Sequence, residues 1–345
     1  MRKRSRFPMS FVAALAVGAA MAQPAPVVTP KEHQRGAEQT FLTFPEWYLV
    51  HSPAEYAVFV RKNNPDGFPF WGHIGQFWSS YGAVYQASRN DYPPNFGYHV
   101  MIMVIGVSTT IEYALRSAYE TLVGRLSGLT QMRGMTPEDS LGAAVAQEYV
   151  DFIRVLPWYE FDFVKPLKVL WRDTDLWGPD LLRKWERRYA LTTESGIKAM
   201  YAWAIKKATK AAYDDALLVT AVVLDRLPPD SERALPDLRV LQRQPDGAVL
   251  ALAPRYEAFK VYASRLAQGG AQLREIAGNR GVILVSALVP RDWQASAGDR
   301  ILFSQPIITR PAEKRVALVT TVPALSAALN RLNAPGSTLE HVYDY

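Results

Sequence analysis

The polar residues of one otherwise aromatic segment, Phe70 to Ser88, are the first candidates for chemistry. His73, Gln76 and Ser80 lie three and seven residues apart, so on a helix they share one side. Histidine can act as a general acid or base near neutral pH. The stripe can therefore line a pocket, with His73 as a catalytic candidate and Gln76 and Ser80 as ligand-binding candidates, or face a polar group of a neighbouring element.

A second set of charges follows the apolar start of the long segment Tyr98 to Leu126. Glu112, Arg116 and Glu120 occur at four-residue steps, which brings them together on successive helical turns. Two interpretations remain open. The charges can form an internal ion-pair ladder, or they can form a partly buried strip facing a cleft, where Glu112 is a catalytic candidate and Arg116 and Glu120 are ligand-binding candidates.

The third candidate is Glu148, on a helix that is predicted to begin at Pro137. Thr136 can cap that helix, and Glu148 lies on the same predicted apolar side as Leu141. A buried carboxylate must be paired or become neutral, and Arg116 is the expected partner. Glu148 is thus either one half of a structural salt bridge or a general acid or base.

These residues do not form a recognisable metal motif. A di-iron carboxylate site in a helical bundle needs Glu-x-x-His on two helices, but Phe70 and Phe96 stand three residues before His73 and His99. The only remaining metal site would be an irregular one formed by His73, His99 and Glu112. We therefore predict no metal site, and because the chain has no phosphate-cradling glycine loop, we predict no cofactor.

Catalytic motifs are incomplete as well. Ser195-Gly196-Ile197-Lys198 matches the Ser-x-x-Lys element of penicillin-binding proteins and serine β-lactamases, but no Lys-Thr-Gly follows it. The sequence contains neither Gly-x-Ser-x-Gly nor His-Glu-x-x-His. It has no cysteine, which excludes disulfides, thiol nucleophiles and thiolate metal sites.

The first 22 residues have the three parts of a secretory signal peptide. Four basic residues lie among the first six positions, an apolar run covers Phe11 to Met21, and Ala20-Met21-Ala22 forms a small-x-small exit. A twin-arginine pair is missing, so we predict export through the Sec route to the periplasm. The alternative is an uncleaved helix that anchors the protein in the inner membrane.

Removal of this segment also changes the charge balance. It takes four of the 39 Lys and Arg residues, which leaves the mature chain nearly balanced against 33 Asp and Glu. A nucleic-acid partner is therefore not expected, since such proteins keep a strong basic surplus.

Two regions are predicted to position the candidate residues. A Pro-rich flexible leader, 23–37, precedes a Trp-rich helical domain, 38–225, and a small α+β sandwich, 226–345, for which we consider a ferredoxin-like arrangement. The overall fold class is therefore α+β, with a mainly α-helical N-terminal domain. No internal repeat is evident.

Two helical segments bear on membrane contact. Val100 to Ile111 is the most hydrophobic stretch, but it is short and is followed by Glu112, so we expect a buried core helix. Basic and aromatic residues alternate in a later segment that contains Arg183, Lys184, Arg187, Arg188, Lys198, Lys206, Lys207 and Lys210 beside Trp185, Tyr189, Tyr201 and Trp203. We expect a solvated basic face with inward aromatic rings, and the alternative is a surface for anionic lipid.

Three functional hypotheses follow. The leading one is an exported cell-envelope protein that binds an apolar or lipid-like ligand, or that serves as a partner in the assembly of other envelope proteins. The second is a periplasmic enzyme that uses His73 with Glu112 or Glu148. The third is a protein anchored in the inner membrane by an uncleaved N-terminal helix.

Overall fold

The computed structural model describes residues 27–209, 218–296 and 299–344, so the signal segment, the start of the leader and Lys210 lie outside the described residues. The helices of the first part are α1 (Gln39–Val60), α2 (Phe70–Ser88), α3 (Phe96–Tyr119), α4 (Arg125–Gly128), α5 (Pro137–Ile153), α6 (Val164–Arg172) and α7 (Leu181–Thr209). A π-helical turn, Glu120–Gly124, joins α3 to α4 without a break. The mainly helical N-terminal part of the prediction is confirmed.

Local sequence signals explain where α5 begins. The Thr136 hydroxyl accepts a hydrogen bond from the Asp139 amide, and the Asp139 carboxylate accepts one from the Thr136 amide, which completes a capping box with Pro137 in the first turn. The predicted start of this helix is confirmed. The aromatic segment Phe41 to Tyr48, in contrast, lies inside α1, which continues through Pro45 and Pro53.

The second part contains two four-stranded antiparallel sheets. The first sheet has the order β2-β3-β1-β4, and the second has the order β6-β7-β5-β8. Their strands are β1 (Val219–Leu224), β2 (Arg239–Arg243), β3 (Val249–Pro254), β4 (Leu273–Ile276), β5 (Val282–Pro290), β6 (Arg300–Pro306), β7 (Glu313–Thr321) and β8 (Thr338–Val342). Three helices accompany them: α8 (Ser231–Ala234), α9 (Glu257–Gln268) and α10 (Val322–Leu332).

Both sheets repeat one arrangement. In each, a strand is followed by a hairpin, a helix and a fourth strand, and the fourth strand pairs with the first on the side away from the hairpin. This is the strand order of a ferredoxin-like unit, and it occurs twice. The helix that such a unit has between its first two strands is only the short α8 in the first sheet, and none is found between β5 and β6 among the described residues. The α+β prediction is confirmed. The repetition concerns the order of strands and helices, and the amino-acid sequence showed no corresponding repeat. The hairpin between β2 and β3 turns at Gly247, whose φ of +91° suits glycine.

An apolar core lies between these sheets. Helix α9 contacts β3 and β8, and α10 contacts β4, β5 and β7, so each helix bridges both sheets. Phe259 of α9 and Leu329 of α10 pack in one buried cluster with Val222 of the first sheet and Val285 of the second. Their removal from water is the main stabilising term for this part of the chain.

The helical region packs on the outer face of the second sheet. Phe44 and Tyr48 of α1 share a buried cluster with Leu284 and Tyr343. The Thr40 hydroxyl accepts a hydrogen bond from the Leu284 amide and donates one to the Tyr343 carbonyl. Hydrogen bonds therefore fix α1 to β5 as firmly as packing does. The described part of the leader lies against the first sheet: Val27 packs on β1 and β3, and the Arg35 amide donates a hydrogen bond to the Ala277 carbonyl.

Candidate functional site

A cavity of about 690 Å³ lies within the helical region, between α1, α3, α5 and α7. Its wall is mostly apolar and aromatic, and includes Trp47, Met101, Ile105, Val145, Tyr149, Ile153 and Leu191. Apolar walls with a few polar groups are typical of sites for small organic ligands. The cavity is therefore the strongest candidate for a binding site among the described residues.

Four alternating charges line one side of this cavity, and we call them the cavity quartet: Glu112 and Arg116 of α3 with Glu194 and Lys198 of α7. The Lys198 Nζ lies 3.1 Å from Glu112 Oε1 and 2.8 Å from Glu194 Oε1. Arg116 Nη1 lies 3.6 Å from Glu112 and 3.5 Å from Glu194. Each base faces both acids. Because two bases accompany two acids, the quartet has no net charge.

Arg116 is the least satisfied member of the quartet. Its guanidinium stands over the rings of Tyr56 and Phe70, 4.4 Å and 5.4 Å from their centroids. It forms ion pairs with the two acids, but no hydrogen bond to it is found among the described residues. A guanidinium has five N–H donors. Arg116 can therefore donate hydrogen bonds to an acidic oxygen of a molecule in the cavity.

The predicted ladder of Glu112, Arg116 and Glu120 is only half present. Glu112 pairs with Arg116, but Glu120 binds Arg187, with 2.9 Å between Glu120 Oε2 and Arg187 Nη2. The π-helical turn begins at Glu120, which alters the helical spacing beyond this residue. A Cβ atom at Gly124 would lie 2.1 Å from Glu120 Oε2, so only glycine leaves room for this carboxylate.

The predicted solvated basic face of α7 is wrong for the first half of the helix, whereas Lys206 and Lys207 near its end are exposed. Arg183, Arg187 and Arg188 are buried, and Arg183 Nη2 lies 2.8 Å from Asp139 while Arg188 Nη2 lies 2.7 Å from Glu138. Other members of this buried network are Glu120, Ser127 and Glu186. The aromatic rings that were expected inside, Trp185, Tyr189, Tyr201 and Trp203, are exposed. Ion pairing across α5 and the π-helical turn draws the bases inward.

The expected burial of Glu148 is also wrong. Its side chain is 48% exposed and pairs with Lys165, not with Arg116. The buried side of α5 is formed by Asp139, Ala143 and Val150. At 100° per residue, position 148 lies about 180° from position 139, so Glu148 points away from the interior.

His73 takes part in a buried chain of polar groups that starts at the cavity. Ser52, which lines the cavity, has its Oγ 2.7 Å from Tyr113 Oη and 2.9 Å from His73 Nδ1. His73 Nε2 lies 3.7 Å from Glu55 Oε2, which is too far for a hydrogen bond, and the other oxygen of Glu55 is 3.0 Å from Arg315 Nη2. The order Ser, His and Glu is that of a nucleophile, a base and an orienting acid.

A second histidine lies behind the first, at the junction with the second sheet. His51 Nδ1 lies 3.4 Å from Glu340, and Glu340 also binds Arg315 with 2.6 Å between Oε2 and Nε. Burial, together with Arg315, lowers the pKa of His73 to about 3, and burial lowers the pKa of His51 to about 3. Burial acts to raise the pKa of Glu340, but Arg315 and His51 outweigh it and lower that pKa to about 2. At neutral pH both imidazoles are uncharged.

The other two members of the predicted stripe face protein groups. Gln76 donates to the Pro306 carbonyl at 2.7 Å, and Tyr48 Oη lies 3.3 Å from Gln76 Oε1. Ser80 donates to the Phe77 carbonyl within its own helix. Of the two interpretations, the structure supports contact with a neighbouring polar group, here the end of β6, and neither residue lines the cavity.

The irregular metal combination is not assembled. His99 Nδ1 lies 3.0 Å from Tyr81 Oη, His73 faces Ser52, and Glu112 faces Lys198. In the part of the chain that the structure describes, no group of three potential metal ligands comes together.

Sequence reasoning missed Ser52, Glu55 and Glu194. Ser52 and Glu55 are three residues apart, which places them on adjacent helical turns, but this spacing was not recognised in the sequence. Glu194 stands four residues before Lys198, a spacing that favours an ion pair on a helix. Ser195 does line the cavity, yet Lys198 is held between two carboxylates and cannot serve as its base.

Comparison with protein families, with curated proteins and with solved structures finds no match to this chain. The functional argument therefore depends on the site alone.

Proposed function

We propose that the protein is an exported cell-envelope protein that binds an amphipathic, lipid-like molecule in the cavity of its helical region. The observation that carries this proposal is Arg116, a guanidinium without hydrogen bonds among the described residues, on the wall of a mostly apolar cavity. An apolar chain of the ligand would contact the aromatic and aliphatic wall. Its acidic head would accept hydrogen bonds from Arg116, which are among the stronger kinds in proteins.

The binding test uses cis-parinaric acid, a fluorescent carboxylic acid with an apolar chain. We expect saturable binding by the mature protein and about a tenfold weaker affinity for Arg116→Gln, since a charge-assisted hydrogen bond contributes about 1.5–3 kcal/mol. Ala146→Leu, which narrows the cavity without touching the quartet, should also weaken binding. Arg239→Gln, at an exposed position of β2 outside the cavity lining, is the control. Equal affinities for all four proteins would contradict the proposal.

Export is tested separately by the intact mass of protein recovered from the cell envelope. A chain that begins at Gln23 supports cleavage of the signal segment. A chain that retains residues 1–22 would support the anchored alternative instead.

A second function is favoured by the chain Ser52, His73 and Glu55, which ends at the cavity. In this alternative Ser52 is the nucleophile of a hydrolase and His73 is its base. It ranks second because a histidine with a pKa of about 3 is a weak base and Ser52 is almost fully buried. Labelling of the wild-type protein, but not of Ser52→Ala, by a fluorophosphonate probe would place this function first, and absence of labelling would exclude it.

A further inference from the structure

The outer side of α3 and of the turns that follow it is apolar over a long distance. From Phe96 to Val123 the exposed residues include no charged one, and Val104 is 58% exposed. This stretch is about 42 Å long at 1.5 Å per residue. Among the described residues, Phe96–Gly128 is the helix that is long and apolar enough to span a membrane, yet only 17% of its apolar window is buried. The expected burial of Val100 to Ile111 is therefore wrong.

Helix α7 has the same polarity. From Leu181 to Ala204 its exposed residues are apolar, aromatic or uncharged, over about 36 Å. Its charged residues turn inward to the buried network and to the cavity quartet. In water this is the reverse of the usual distribution, because apolar groups gain by leaving water and charges lose. In contact with lipid it is the stable one, since polar groups then face the protein interior and pair with one another.

The two outer sides meet and form one surface, which we call the α3–α7 face. The rings of Tyr119 and Tyr189 are 6.2 Å apart and bridge the helices. Leu115 and Leu122 share the side of Tyr119, and Trp185 shares the side of Tyr189. A joined apolar surface of this extent marks an interaction site in a soluble protein.

Charged residues decide how a bilayer would meet this face. Helix α5 lies along α7, with Asp139 bound to Arg183 and the ring of Tyr149 5.3 Å from Lys198 Nζ. Its outer side carries the exposed residues Glu148 and Asp151. A bilayer spanned by α7 would place these carboxylates in hydrocarbon, which is costly. The face can instead lie in the membrane plane, with α5 on the water side.

The ends of the face carry bases. Lys206 and Lys207 are exposed at the end of α7, and Arg125 and Arg133 are exposed beyond the apolar part of α3. Basic residues beside an apolar surface bind anionic headgroups, and Trp and Tyr favour the interfacial layer.

We propose that the α3–α7 face lies in the plane of a lipid bilayer, with its apolar side chains among the upper acyl segments and its terminal bases at anionic headgroups. The occupant is the membrane surface, not a molecule in the cavity. This inference does not depend on the proposed ligand binding, because Ile111, Leu115 and Ile197 of the face do not line the cavity, although Met101 and Val104 of α3 belong to both.

The test is co-sedimentation of the mature protein with vesicles of phosphatidylcholine alone and of phosphatidylcholine mixed with phosphatidylglycerol. We expect binding to the mixed vesicles that weakens as salt is added. Ile111→Asp and Ile197→Asp, both outward-facing, should each reduce partitioning by about tenfold or more. Leu241→Asp makes the same change at an exposed position of β2 and should have no effect. Equal sedimentation of all variants would overturn the proposal.

Two further outcomes separate the bilayer from other arrangements. Lipids brominated near the headgroup should quench the fluorescence of Trp185 and Trp203 more than lipids brominated near the chain ends, and Trp→Phe at both positions should remove that difference. Stronger quenching by the deep label would overturn the in-plane arrangement. If the wild-type protein is a dimer that Ile111→Asp dissociates and vesicles do not bind it, the face belongs to a second copy and the proposal fails. Unchanged parinaric acid binding by Ile111→Asp keeps this test distinct from that of the cavity.

Discussion

The helical region and the two-sheet region distribute polarity in opposite ways. Between the sheets, Phe259 and Leu329 are buried in a cluster of apolar residues. In the helical region, Arg183 and Arg188 are among the largest fully buried side chains, whereas Leu115 is 67% exposed. The sheets follow the rule for a protein surrounded by water. The helices follow the rule for a protein that contacts an apolar medium on one side, and this contrast carries the proposed bilayer contact.

The largest expected effect in this comparison comes from removal of a buried charge. Arg183→Leu removes the cation that pairs with Asp139 and one of the two that pair with Glu186 inside the helical region, and we expect a loss of about 3–5 kcal/mol of unfolding free energy. Arg243→Leu on β2 breaks an exposed ion pair with Glu232 and should lower the free energy of unfolding by less than about 1 kcal/mol. Urea unfolding followed by circular dichroism measures both. Equal losses would show that the buried ion network of the helical region contributes no more than an exposed ion pair does.

Acid should act first on the junction between the regions. His51 and His73 have a pKa of about 3 in the folded protein against an ordinary value of 6.5, so only the unfolded chain takes up their protons between these pH values. The stability that they contribute is complete above pH 6.5 and is lost as the pH falls. Between pH 6.5 and pH 5, each histidine should lower the free energy of unfolding by about 2 kcal/mol.

Two acids nearby oppose this trend. Burial raises the pKa of Asp344 from 3.8 to about 7, so its contribution is largest at low pH and is lost as the pH rises toward 7. Burial also raises the pKa of Glu55, and it lowers the pKa of a third histidine, His341. Three histidines outweigh two carboxyls, and the melting temperature should still fall on acidification. His73→Gln should flatten that dependence, and a slope identical to that of the wild-type protein would refute the role of His73.

Much of the two-sheet region could be predicted from the sequence, because short β-branched runs and turn residues act locally. Pro245-Asp246-Gly247 located the hairpin of β2 and β3. Strand β1 lies inside the predicted helical domain, 38–225, although Val219–Leu224 is itself a β-branched run that could have been recognised. Strand β4 has only four residues and gives a weak local signal. The duplicated arrangement is a relation between strand pairings, which no spacing along the chain records.

The candidate site was less predictable. The four-residue spacing correctly predicted the pair of Glu112 and Arg116. Glu120, where the π-helical turn begins, does not join that pair. The bases of α7 were placed outside because the rule that charges face outward assumes water on every side. Glu55 binds Arg315, which is 260 residues away, so no local pattern could reveal that pair.

The smallest expected effect compares two threonines at helix starts, one in each region. Thr136 closes a capping box on α5, whereas Thr321 precedes α10 without a side-chain cap hydrogen bond. Thr136→Ala should therefore cost about 1 kcal/mol, and Thr321→Ala only a few tenths. Thr136 also binds Asp139, the carboxylate that holds Arg183, so its loss should loosen the buried ion network of the helical region. A double-mutant cycle of Thr136→Ala with Arg183→Leu measures that link. Additive effects would show that the cap stabilises only its own helix, and a coupling above about 0.5 kcal/mol would show that the cap and the charged interior act as one unit.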